Sequence, residues 1–235
     1  VLKYKRILLK LSGEAVSGSA AVFNFDTLNQ IAKEIRNVRD GGAQIGIVLG
    51  GGNIVRGRDL TPFGLDRIQS DYMGMLATVI NSMLMQEVLK ANGVPAVLQS
   101  ALEIRTVTEG VVLRRTLEYI EGNSVVLFAG GTGSPYFTTD SAAALRACEI
   151  GADVFLKATK VDGVYDRDPE KDENSTFFPA LTYDQILQRR LNVMDMAAVS
   201  MCRDNRIPMI VFNIFREGSL GKAARGEEIG TLIKE

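Results

Sequence analysis

Short apolar runs alternate with longer amphipathic stretches along this chain of 235 residues. The runs Lys5–Leu11, Gln44–Leu49, Ala96–Gln99, Ser124–Phe128, Asp153–Lys157 and Met209–Phe212 read as strands. Ile45-Gly46-Ile47-Val48-Leu49 and Val125-Val126-Leu127-Phe128 hold apolar residues without alternation. A strand covered on both faces needs that composition, which points to a largely parallel sheet.

The stretches between have helical spacing. A helix capped by Asp26 and running to about Arg39 puts Leu28, Ile31, Ile35 and Val38 on one face, and Gly41-Gly42 ends it. Ser70–Ala91 places Met73, Leu76, Ile80, Leu84 and Val88 at helical spacing. Its methionines, Met73, Met75, Met83 and Met85, read as core or interface filling. Val111–Ile120, Thr139–Ile150, Tyr183–Arg190 and Asp195–Asn205 are further helices. This alternation predicts an α/β fold: an open, mainly parallel sheet between helices, joined by right-handed crossovers. One domain is expected over 1–235, with a faint division near Gly151. The Asp162–Pro179 stretch, rich in charge, Pro and Asn, reads as a long, mobile loop of functional interest.

Composition narrows the chemistry. There is no histidine, so Ser-His-Asp and Cys-His nucleophile systems, His-ligated zinc and an imidazole base are excluded. An enzyme built this way would work by positioning and electrostatics. With 27 Lys+Arg against 28 Asp+Glu, the net charge of −1 argues against a general nucleic-acid binder. Cys148 and Cys202 lack CxxC spacing, so core packing and a reducing cytoplasm are expected. No run approaches a membrane span. Lys10 and Glu14 interrupt the apolar start too soon for a signal peptide.

The informative residues stand at the ends of the strands. The first strand runs into Lys10-Leu11-Ser12-Gly13-Glu14, the second into Gly50-Gly51-Gly52-Asn53-Ile54-Val55-Arg56-Gly57. A later one runs into Gly130-Gly131-Thr132-Gly133-Ser134, then Pro135-Tyr136-Phe137-Thr138-Thr139-Asp140 opening a helix. Ligands of parallel α/β sheets bind at such strand ends. Glycine lets backbone N–H groups approach an anion, and a helix N-terminus adds a favourable dipole. Neither G-x-x-x-x-G-K-[ST] nor G-x-G-x-x-G occurs, so neither a P-loop nor a dinucleotide fingerprint is present. Lys10 and Arg56 are suited to phosphate; Arg58 reads as a surface charge.

These segments, with Asp71-Tyr72-Met73-Gly74-Met75-Leu76-Ala77-Thr78 and Leu156–Asp168 before Pro169, occur in order over nearly the whole chain. Together they resemble the bacterial UMP kinases of the amino acid kinase family. The resemblance implies transfer of the ATP γ-phosphoryl group to UMP with Mg²⁺, in a cytoplasmic homohexamer activated by GTP and inhibited by UTP. It implies an acceptor-binding part over about 1–150 and an ATP-binding part over about 151–235. Catalytic roles fall on Lys10, Arg56 and Asp140, the last orienting phosphate-binding lysines. UMP would meet Gly51, Asp71, Thr132, Gly133, Ser134, Pro135, Tyr136, Phe137, Thr138 and Thr139, with Asp71 at the ribose hydroxyls. ATP would meet Lys10, Leu11, Ser12, Gly13, Gly52, Arg56, Thr159, Tyr165 and Asp168. No residue is implied as a protein ligand to the metal. Ser134 replaces a common Asn, and Ser19–Phe25 departs from a Gly-Phe-Gly-rich version; both bear on regulation. An amino-acid or carbamate kinase of the same fold, and a non-catalytic nucleotide-binding storage or regulatory protein, remain alternatives.

Overall fold

The computed structural model describes residues 1–17, 21–56 and 63–235. Gly57, Arg58 and part of the 19–25 segment lie outside the described residues. The strands are β1 (Arg6–Leu11), β2 (Gln44–Leu49), β3 (Ala96–Ser100), β4 (Glu109–Gly110), β5 (Val125–Ala129), β6 (Val154–Thr159), β7 (Val164–Tyr165), β8 (Phe177–Phe178), β9 (Ala180–Thr182), β10 (Met209–Asn213) and β11 (Thr231–Lys234). The helices are α1 (Phe25–Asp40), α2 (Arg67–Ala91), α3 (Leu113–Glu121), α4 (Thr139–Ile150), α5 (Tyr183–Arg189), α6 (Met196–Asp204) and α7 (Ser219–Arg225). Nine of the described strands form one sheet in the order β4-β3-β5-β2-β1-β6-β10-β11-β9. Only β10–β11 pairs antiparallel within it.

The continuous apolar strands are buried on both faces, as expected. Ile7, Leu9 and Leu11 of β1 join the core under α1, α2 and α7. Leu8 joins the core under α4, α5 and α6. Each fully buried aliphatic side chain of this kind contributes about 1.5–3 kcal/mol. The third inward position on the α4 face of β1 is Lys10, which is 8% exposed. The sheet therefore buries a cation within this largely apolar layer, near the carboxyl end of its central strand.

Several local expectations shift. Asn24, not Asp26, caps α1, accepting from the Thr27 N–H at 3.0 Å, while Asp26 sits in the first turn. The helix expected from Ser70 begins at Arg67, capped by Asp66. The 162–179 stretch contains the antiparallel β7–β8 pair, so it is not wholly a loop. Of the spaced series on α2, Leu76 and Ile80 are exposed; Ser70, Thr78, Asn81 and Ser82 are buried. The reason is what α2 covers: part of its inner face lies over polar backbone at the ends of β2 and β5. Met75 and Met85 are core residues and Met83 is exposed. Cys202 is buried as expected, and Cys148 is only partly so. Burial pushes the Cys202 thiol up to about 12.

Candidate active site

The glycine turns meet at the carboxyl ends of β1, β2 and β5. The Gly50 N–H donates to Leu11 O at 2.9 Å, joining the first two turns. A Cβ on Gly13 would come within 2.7 Å of Gly52 N, and one on Gly51 within 2.8 Å of Gly74 O. Both turns thus approach neighbouring backbone closer than any side chain permits. Residues of α2 fasten them. Asn81 Nδ2 donates to Gly50 O at 2.6 Å and to Asn53 Oδ1 at 2.7 Å. Thr78 Oγ1 accepts from Gly130 N–H at 2.9 Å and donates to Met75 O at 2.7 Å.

Beneath the turns lies a buried charge cluster. Parallel pairing sets Lys10 of β1 beside Lys157 of β6. Two like charges at adjacent positions repel, and Asp140 in the first turn of α4 compensates them. Lys10 Nζ is 3.0 Å from Asp140 Oδ1 and Lys157 Nζ is 2.7 Å from Oδ2. Lys157 also donates to Val193 O at 2.5 Å. The Oδ1 contact is an ion pair without hydrogen-bond alignment. Burial alone would raise the Asp140 carboxyl, but Lys10 and then Lys157 outweigh it and hold it well below the usual carboxylate range. Burial lowers the Lys157 ammonium, against the pull of Asp140. Thr138 caps α4, accepting from Asp140 N–H at 3.0 Å. Its hydroxyl donates to Asp195, which also accepts from Ser141 Oγ at 2.9 Å and caps α6. The N-terminus of α4 is thereby fixed facing the glycine turns.

Two cavities open on this cluster. One, of about 540 Å³, is walled by Gly51, Gly52, Asp71, Met75, Thr132 and the 137–140 segment, among others. The other, of about 650 Å³, is walled by Lys157, Thr159, Tyr165, Asp168 and the charged 166–171 stretch. Their common wall is Lys10, Ser12, Glu14 and Arg56. Arg56 pairs with Glu14 and donates from Nε to Gly52 O at 3.2 Å.

Of the expected acceptor residues, Gly51, Asp71, Thr132, Phe137, Thr138 and Thr139 line the first cavity. Gly133, Ser134, Pro135 and Tyr136 do not, although the Tyr136 N–H donates to Asp71 Oδ2 at 2.8 Å. Thr159, Tyr165 and Asp168 line the second cavity. Asp168 is held below the usual carboxylate range by the Glu170 N–H and Lys171. Gly13 and Gly52, expected at ATP, line the first cavity alone. The Leu11 side chain is in the core. Sequence reasoning did not single out Lys157, Thr78, Asn81, Glu14 or Arg67. Lys157 had a signal: a lysine in an apolar run at the same strand-end position as Lys10. Thr78 and Asn81 had none, since their partners are backbone groups distant in sequence.

A mainly parallel sheet whose central strand carries a buried lysine next to its carboxyl end, between two cavities at that edge, is suited to holding phosphate groups. The chain belongs to the amino acid kinase family, whose model matches residues 5–213. It is similar to the uridylate kinase of Methylococcus capsulatus, with 52% identity over 231 residues, covering 98% of this chain and 97% of that protein. The UMP kinase of Bacillus anthracis superposes with a TM-score of 0.94 at 35% identity, covering 98% of this chain and 96% of that one. That of Ureaplasma parvum gives 0.92 at 33% identity, with 100% of both chains covered.

Proposed function

We propose that this chain is a UMP kinase that transfers the γ-phosphoryl group of ATP to UMP, giving UDP and ADP. The observation behind it is the pair of cavities whose common wall is Lys10, Ser12, Glu14 and Arg56. An acceptor phosphate in one and a donor phosphate in the other would meet at that wall. The reading assigns the glycine-lined cavity to UMP and the charged cavity to ATP. Residues 1–150 supply most of the acceptor site and 151–235 most of the donor site.

The chemistry asks for alignment and for neutralisation of charge spreading over the equatorial oxygens. The attacking UMP oxygen is already anionic near neutral pH, so no imidazole base is required. Lys10 and Arg56 meet the transferring group. Asp140 bridges Lys10 and Lys157 and orients them. Backbone N–H groups at Ser12–Gly13, Gly51–Gly52 and the α4 N-terminus add fixed dipoles. Leu11 would take part through its backbone, and Thr159, Tyr165 and Asp168 would receive the nucleoside of ATP. Ser134, Pro135 and Gly133 would shape the loop behind the acceptor.

Among the described residues, no three acidic or cysteine side chains converge as a metal cage. In this reading Mg²⁺ would arrive on the nucleotide phosphates, its usual mode. Once bound, it would supply charge neutralisation on the β- and γ-phosphates. Ile68, Leu76, Ile80 and Met83 leave an exposed apolar face on α2, which supports self-association. The hexamer, GTP activation, UTP inhibition and cytoplasmic location belong to the same reading. Among the described residues, no helix is long and apolar enough to cross a membrane.

A coupled assay with ATP, Mg²⁺ and each nucleoside monophosphate tests the reading. UDP formation selective for UMP is expected. Phosphorylation of a carboxylate or carbamate, or tight ATP binding without turnover, would overturn it.

A further inference from the structure

Asp71 lines the acceptor cavity with its side chain only 13% exposed, so its carboxylate orientation matters to whatever binds there. Two groups fix that orientation. Arg67 Nε lies 2.9 Å from Oδ1 and 2.8 Å from Oδ2, and the Tyr136 N–H donates to Oδ2 at 2.8 Å. Arg67 is one helical turn before Asp71 and lines the same cavity. Its guanidinium carbon sits 5.6 Å from the centre of the Tyr136 ring. Tyr136 has φ 72°, in the left-handed region that non-glycine residues rarely adopt. Backbone in that region persists where surrounding contacts over-determine it, often beside a binding site.

An i,i+4 ion pair on an open helix face contributes little. This one differs in three respects. Its carboxylate is mostly buried, its arginine packs on a second loop, and both residues face the cavity. We propose that Arg67 is a positioning residue for the acceptor. It holds the Asp71 carboxylate against the 130–137 loop so that the free lone pairs meet the ribose hydroxyls. It thereby contributes to the preference for a ribonucleotide over a deoxyribonucleotide.

The inference rests on the reading of Asp71 as an acceptor-binding carboxylate, so Asp71→Asn is measured alongside. Arg67→Ala is expected to raise KM for UMP about tenfold, the scale of one hydrogen bond to a charged group. The change in kcat and in KM for ATP should be much smaller, and the UMP:dUMP ratio of kcat/KM should fall. In the Asp71→Asn background the same change should have little further effect. Arg67→Lys keeps the charge without the planar guanidinium and should lie between wild type and alanine. It also keeps the measurement open if the alanine variant folds poorly. An unchanged KM for UMP in Arg67→Ala, beside a raised one in Asp71→Asn, would overturn the positioning role alone. An equal increase in both backgrounds would also overturn it, because Arg67 would then act independently of Asp71. An unchanged KM in Asp71→Asn would overturn the acceptor-site reading itself.

Discussion

The two cavities are built differently. The wall at the ends of β2 and β5 relies on backbone: glycines in close approach, fastened by the buried side chains Thr78 and Asn81. The wall beyond β6 relies on exposed ion pairs, such as Lys160–Glu170, Arg167–Asp172 and Lys171–Asp168. The first kind of wall selects by shape and tolerates little change. The second is solvated, its pairs contribute little to stability, and it can rearrange around a ligand. Between them stands the Lys10–Asp140–Lys157 cluster, of which Lys10 lines both cavities, Asp140 the first and Lys157 the second.

Breaking that cluster should have the largest effect. Asp140→Asn leaves two lysines without their buried counter-charge, a loss of about 3–5 kcal/mol, read by denaturant unfolding. The folded carboxyl lies below its unfolded value, so its stabilisation is complete above the unfolded range near pH ~4. It is lost as pH falls through that range towards the folded pKa. The gap between wild type and Asp140→Asn should therefore close on acidification; a constant gap would contradict the ion-pair account. Next, Lys10→Ala should lower kcat roughly a hundredfold or more, about 3 kcal/mol of barrier, with a smaller effect on UMP binding. Near-normal turnover would remove Lys10 from the reaction.

On the backbone-built side, Gly51→Ala drives a Cβ to 2.8 Å from both Gly74 O and Ala77 Cβ. Relief by shifting α2 should cost about 1–3 kcal/mol and raise KM for UMP. Wild-type thermal stability would mean the turn is looser than its contacts indicate. Thr78→Val keeps the shape but leaves the buried Gly130 N–H without its acceptor, at about 1–3 kcal/mol. A melting temperature lower by a few degrees is the expected reading. The smallest effect belongs to the charged side: Arg167→Ala should leave the melting temperature nearly unchanged, with any effect confined to KM for ATP. A large loss of stability there would erase the contrast between the walls.

Much of this was legible in the sequence. The unalternating runs became strands buried on both faces, and the glycine turns after β1, β2 and β5 came together because parallel strands end on one edge. The features that were not legible depended on neighbours distant along the chain. The periodicity of α2 gave no sign that Thr78 and Asn81 face inward, because a helix over polar backbone reverses the usual burial rule. Lys157 was visible as a lysine in an apolar run, but its register opposite Lys10 is a property of the sheet.

The sequence alone determined the layered α/β class and the absence of imidazole chemistry, and it pointed to the strand ends as the place for an anionic ligand, because these depend on local periodicity and residue chemistry. The tertiary structure decided which charges share one buried carboxylate, which glycines touch backbone, and that Lys10, Ser12, Glu14 and Arg56 stand between two cavities. Those are distances between segments far apart in the chain, and only strand order and helix docking set them.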